Sequence, residues 1–142
     1  MVETAVVVSA YFGAERGATR QALEALTRRD RTTWLAVHDD DFEVVPIGGF
    51  PETGVRGPGA AWDFYLKNFE AFEDVPLDDT EVMDAGADKA LVHQRYDLRR
   101  RGRGAVVEFD YWVVVTVRQG RILRAQWFAD RVDALEAVGL RE

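Results

Sequence analysis

"ALVHQRYDLRRRGRGAVVEFDYWVVVTVRQGRILRAQWFA", residues 90–129, decides how this chain folds. Three runs alternate with period two, Ala90–Leu98, Ala105–Val117 and Ile122–Ala129. They are separated by Arg-Gly-Arg-Gly at 101–104 and Gln-Gly at 119–120. Period-two alternation marks a strand, and glycine supplies the positive φ that tight hairpins require. The spacing predicts an antiparallel meander of three long strands. A fourth is expected at Asp79–Asp84.

Turn positions then suggest a register. A hairpin centred on Gly102 sets position 93 opposite 111, 95 opposite 109 and 91 opposite 113. A three-residue loop with a bulge about Gly120 sets 113 opposite 127 and 111 opposite 129. One face then carries Leu91, His93, Arg95, Phe109, Tyr111, Val113, Val115, Ala125 and Trp127. The other carries Val92, Tyr96, Trp112, Val114 and Phe128. Both faces are too apolar for water.

Upstream, the period changes. From Ala14 to Arg29 the positions Ala18, Ala22, Leu23, Ala25 and Leu26 fall on one side of a helix. Asp30 caps a short second helix carrying Trp34, Leu35 and Val37, with His38 completing its C-terminal turn. A strand follows at Phe42–Val45, then a proline- and glycine-rich loop from Pro46 to Gly59. A third helix is expected over Gly59–Phe72, where Ala61, Phe64, Tyr65, Phe69 and Phe72 recur at helical spacing. Helices first and a meander afterwards predict an α+β fold, with about three N-terminal helices packed on a mainly antiparallel sheet. Three helices cover only one face, so the other is expected to meet a second subunit, giving a homodimer.

With 142 residues and neither repeat nor linker, residues 1–142 form one domain with its core at about 14–140. The chain has no cysteine, which removes disulfides and thiolate chemistry and points to a reducing, cytoplasmic setting. A formal charge of −7 disfavours nucleic acid as a partner. The longest apolar stretch, Ala5–Phe12, is too short to span a bilayer. The Asp39-Asp40-Asp41 run with Glu43 lacks a second histidine at ligand spacing and reads as solvated, so neither metal nor cofactor is expected. The arginines at 99–101 and 103 sit at a hairpin tip and keep an edge soluble.

The segments "ALEALTRRD", "TTWLAVHDDDFEVVP", "GGFPETGVRGPGAAWDFY", "DAGADKALV", "VRQGRILRAQWFAD" and "ALEAVGL", in this order, resemble the SnoaL-like family of the nuclear transport factor 2-like superfamily, which includes ketosteroid isomerase. The likeness spans roughly residues 18–140. It implies a cone-shaped, cystatin-like fold: a curved sheet with a deep pocket between helices and concave face, dimerising through the convex face. Isomerases, polyketide cyclases, epoxide hydrolases and dehydratases share this fold, so the fold leaves the chemistry open. Isomerase chemistry needs a carboxylate base and an oxyanion hole of tyrosine and protonated aspartic acid. The corresponding positions here are Pro46 for the base, and Ala22 and Val113 for the oxyanion groups. None can move a proton.

The expected concave face leaves His93 opposite Tyr111 as a proton-handling pair. Arg95 is set to hold an anionic oxygen. Trp34, Tyr65, Val113 and Trp127 complete an aromatic, apolar wall suited to a flat ligand. The plainer reading stands beside it: His93 as a hydrogen-bonded core histidine, Arg95 paired with Asp97, Asp110 or a helix C-terminus, and the aromatics as core. The expected function is a pocket for a small hydrophobic molecule, with acid–base isomerase, cyclase or lyase chemistry on a carbonyl-bearing substrate. The alternatives are a non-catalytic binding module and a dimerising domain without ligand.

Overall fold

The computed structural model describes residues 14–47, 54–77, 80–102, 104 and 106–139. The expected strand positions Asp79 and Ala105, Arg103 of the hairpin tip, the middle of the 46–59 loop and the apolar stretch Ala5–Phe12 lie outside the described residues.

Helix α1 (Ala14–Thr27) buries Ala18, Ala22, Ala25 and Leu26, the three- and four-residue spacing anticipated for it. Helix α2 (Arg31–Ala36) is capped as expected: an Asp30 carboxylate oxygen accepts from the Thr33 amide at 3.2 Å. Its Trp34 is only 1% exposed, as is Phe42 of strand β1 (His38–Val45). Losing such a ring from a core typically costs ~3–5 kcal/mol. The expected loop after β1 contains a two-residue strand, β2 (Val55–Arg56), paired with Val44 and Glu43. Helix α3 (Pro58–Phe69) starts at a proline, whose missing N–H is harmless in a first turn. It ends three residues earlier than expected, because Phe72 pairs with Arg100 in an isolated bridge.

Strands β3 (Glu81–Asp84), β4 (Lys89–Arg99), β5 (Val106–Arg118) and β6 (Arg121–Phe128) complete a six-stranded sheet of order β2-β1-β6-β5-β4-β3. All neighbours are antiparallel except β1 and β6. Helices before a curved, mostly antiparallel sheet give the α+β architecture anticipated above.

The two hairpins differ in how well their turns foretell the register. Between β5 and β6, Val113 pairs with Trp127 as expected. The loop is tighter than anticipated, with Gln119 and Gly120 both at positive φ between Arg118 and Arg121. A bulge at Thr116/Val117 restores the extra residue. Between β4 and β5 the expectation fails by one residue. His93 pairs with Trp112, Arg95 with Asp110 and Leu91 with Val114, while Leu98 and Arg99 pair with Val107 and Val106. Gly102 and Gly104 both take positive φ, and the connection spans residues 100–105 instead of closing symmetrically on Gly102. A one-residue slip exchanges the faces of an entire strand. Ala90 and Val92 therefore join Val113, Val115, Val117, Ile122 and Ala125 in the core beneath α1–α3. Leu91, His93 and Arg95 belong to the opposite face.

That opposite face is also less naked than three helices imply. A fourth helix, α4 (Arg131–Ala137), is capped by Asp130, whose carboxylate accepts from the Val132 amide at 2.8 Å. Its Ala134 and Leu135 form a second core with Ala85, Leu91 and Val114. Over this area the chain covers its own sheet, and the premise that a partner subunit must do so falls away.

Candidate functional site

Between α3 and the concave face lies a cavity of about 240 Å³. Helical spacing places Phe64, Tyr65, Asn68 and Phe69 of α3 on its wall. Strand alternation brings Gln94, Tyr96 and Leu98 of β4, Val107, Phe109 and Tyr111 of β5, and Trp127 of β6. Beside it, a chamber of about 70 Å³ is walled by α1, by Trp34, His38 and Phe42, and by Val92, Val113, Val115, Ile122 and Ala125 of the sheet. Tyr65, Phe69, Leu77, Gln94 and Trp127 line both spaces, so the chamber adjoins the cavity.

The walls are a network of rings. Phe109 and Tyr111 meet edge to face at 4.4 Å between centroids, Tyr111 and Trp127 at 6.3 Å, and Tyr65 stacks on Phe69 at 6.4 Å. Such contacts fix ring orientation beyond area burial. Polar atoms are sparse. Burial pushes the Tyr65 phenol up to about 12, so it keeps its proton and remains a donor at neutral pH. The Trp127 indole N–H opposes part of that rise, yet not with the geometry of a hydrogen bond. Its Nε1 is buried with no hydrogen-bond partner among the described residues. Gln94, 7% exposed, makes no side-chain hydrogen bond among the described residues. The Tyr96 hydroxyl, by contrast, is engaged with that of Thr80. No carboxylate lines either space among the described residues.

The sequence-selected residues divide cleanly. Tyr65, Tyr111 and Trp127 line the larger cavity; Trp34 and Val113, with Tyr65 and Trp127, line the chamber. His93 and Arg95, expected under the helices, lie on the other face because of the slipped register. There His93 stacks on Trp112 at 3.9 Å and 6°, and its Nε2 bonds Asp110 Oδ1 at 2.8 Å. Arg95 is exposed, opposite Asp110 in register. The structure does not bring His93 and Tyr111 together, and a proton pair of these two is excluded by the sheet between them. Ala22 and Val113 line the chamber, and Pro46 the cavity, so the positions aligned with isomerase groups do face the pocket, carrying inert side chains. The Asp39 and Asp41 carboxylates are tied to Arg118 at 2.9 and 3.2 Å.

Sequence reasoning missed Gln94 and His38. Gln94 shares its parity with Val92 and Tyr96, which the mistaken register sent to the convex face. His38 does complete the α2 turn as expected, through Nδ1 and the Trp34 carbonyl at 2.6 Å, but it also lines the chamber.

Helices over a curved, mostly antiparallel sheet, with an apolar cavity between α3 and the sheet, make a nuclear transport factor 2-like fold. Residues 19–125 match the SnoaL-like domain, and the chain belongs to that family. It is similar to a nuclear transport factor 2-like protein from Burkholderia xenovorans, with 22% identity, TM-score 0.71 and coverage of 88% of this chain and 95% of that one. A Mycobacterium tuberculosis protein crystallised with estradiol-17β-hemisuccinate is 19% identical, with TM-score 0.65 over 83% and 95% of the two chains. TerC, co-crystallised with polyporic acid, is 17% identical, with TM-score 0.66 over 89% and 99%. No curated protein matches the chain. Among the described residues no helix is long and apolar enough to cross a membrane.

Proposed function

We propose that this protein binds a flat, largely apolar small molecule carrying an oxygen acceptor, held between α3 and the concave sheet. One observation carries the reading. The Trp127 indole N–H is buried without a hydrogen-bond partner among the described residues, and Trp127 lines both cavity and chamber. An unpaired buried donor costs about 1–3 kcal/mol, and a ligand oxygen is the natural group to relieve it. Gln94 and the protonated Tyr65 hydroxyl add polar contacts at the same junction. The aromatic wall suits a planar body, and two proteins of like fold were crystallised with estradiol-17β-hemisuccinate and with polyporic acid.

Binding without turnover is the reading we favour over isomerase, cyclase or lyase chemistry. The cavity offers no carboxylate among the described residues, Tyr65 holds its proton, and burial first, then the Arg121 charge, pulls His38 down to about 4 against its bond to the Trp34 carbonyl. A base that weak abstracts carbon-bound protons poorly. Estradiol-17β-hemisuccinate and polyporic acid serve as probes in thermal denaturation. A ligand at a hundredfold excess over its Kd stabilises by about 2.7 kcal/mol. No stabilisation by either, or by other planar carbonyl compounds, would remove the reading. A product detected by mass spectrometry would turn it toward catalysis.

We also propose that two copies pair through the strip of convex face that α4 leaves uncovered. Val106, at the start of β5 on that face, is 56% exposed, and Val132 of α4 is 48% exposed.

A further inference from the structure

His38 stands where α2 hands the chain to β1, and only 3% of it is exposed. Its ring lies on Trp34 at 3.7 Å and meets Phe42 edge-on at 4.5 Å. The Trp34 carbonyl can only accept a hydrogen bond, so the 2.6 Å contact fixes the hydrogen on Nδ1. Burial disfavours the doubly protonated ring. Nε2 is thereby left with a lone pair and no hydrogen. No hydrogen bond reaches it from the described residues, while the imidazole lines the chamber. A wall atom that only accepts discriminates between ligand ends: it favours an O–H and gains nothing from an ether or ketone oxygen.

The chamber's size fits this use. About 70 Å³ admits the leading end of a molecule whose body fills the 240 Å³ cavity behind it. We propose that the chamber is a hydroxyl-recognition subsite, in which His38 Nε2 accepts a hydrogen bond from a phenolic or alcoholic O–H at the leading end of the bound molecule. The proposal rests on the ligand-binding reading above and gives it a direction. Donors at the junction, Trp127 and Tyr65, meet an acceptor midway along the ligand. His38 meets a donor at its tip.

Calorimetric titration with 2-naphthol, 2-methoxynaphthalene and naphthalene tests it at neutral pH. The methoxy compound keeps the oxygen and loses the hydrogen. In His38→Asn the amide nitrogen can replace Nδ1–H toward the Trp34 carbonyl, with nothing at the place of Nε2. The readout is the affinity ratio of 2-naphthol to 2-methoxynaphthalene, expected to fall about five- to tenfold from wild type to variant. An unchanged ratio, with all three compounds bound, overturns the subsite and leaves the apolar pocket standing. Binding of none of them overturns both. If His38→Asn does not fold, wild-type nitrogen-15 NMR answers instead. The Nε2 resonance of an Nδ1–H tautomer should move with 2-naphthol and not with 2-methoxynaphthalene, and an equal response to both refutes the proposal.

Discussion

Replacing Trp127 by Phe keeps an aromatic ring in the cavity wall and deletes one N–H, and its two effects on the protein should have different signs. In the free protein Nε1 is buried without a hydrogen-bond partner among the described residues, so its removal sacrifices none of those bonds and relieves a desolvation cost of about 1–3 kcal/mol. The smaller ring loses packing against Tyr65, Phe109 and Tyr111, whose centroids lie 6.3–6.4 Å away. Full truncation of a buried tryptophan costs ~3–5 kcal/mol, and Phe retains most of that volume. The two contributions offset, and apo stability measured by urea denaturation should change by less than about 1 kcal/mol. Affinity for a carbonyl-bearing ligand should nevertheless fall, by about fivefold, the worth of one ordinary neutral hydrogen bond. Naphthalene, with no acceptor, should bind both proteins alike. A loss of more than about 3 kcal/mol in apo stability, with affinity for the carbonyl ligand unchanged, would refute the reasoning and make Trp127 a plain core residue.

His93→Ala should leave ligand affinity within about twofold of wild type and cost no more than ~1 kcal/mol of stability, since its Asp110 partner is 44% exposed and solvent-screened; a tenfold affinity loss would return His93 to the site. Acid should destabilise the fold through His38. Its folded pKa is depressed from 6.5 to about 4, so stability present above pH 6.5 is lost progressively as pH falls toward 4, by about 3 kcal/mol in all. His38→Asn should flatten that limb of a denaturation-versus-pH profile, and an unaltered slope would assign the acid loss to other groups. Val106→Asp should shift the sedimentation coefficient from dimer toward monomer without unfolding the domain; a wild-type protein that sediments as a monomer at all concentrations would end the pairing proposal.

How far the site was legible turns on β4. Turn geometry alone placed His93 and Arg95 under the helices, because Gly102 offered an obvious centre. Nothing in an Arg-Gly-Arg-Gly tip says that Gly104 also adopts a left-handed backbone and takes one more residue into the connection. The strands themselves held the better clue. In β4 the odd positions from 93 to 99 are His, Arg, Asp and Arg, while the even positions from 90 to 98 are Ala, Val, Gln, Tyr and Leu. In β5 the parity reverses, with Glu108 and Asp110 even and Phe109, Tyr111, Val113, Val115 and Val117 odd. Matching polar with polar across the pair sets 95 against 110, the register found. Where one face is buried, hydrophobic alternation constrains register more tightly than a flexible glycine turn does.

The remaining gaps have a different origin. Helix α4 has seven residues, too few for a periodic pattern to stand out, so the covering of the second face was visible only once Ala134 and Leu135 met Leu91 and Val114 in space. The cavity is a property of what the rings leave unfilled, which no strand or helix pattern encodes. His38 joins the two cases. Its bond to the Trp34 carbonyl is an i to i−4 contact, in keeping with the helix-end place that the sequence suggests for it. Its second nitrogen matters because residues as distant as Thr19, Val113 and Ala125 close a chamber around the same ring. The local bond sets which proton the imidazole keeps, and the distant packing makes the free lone pair available to a ligand.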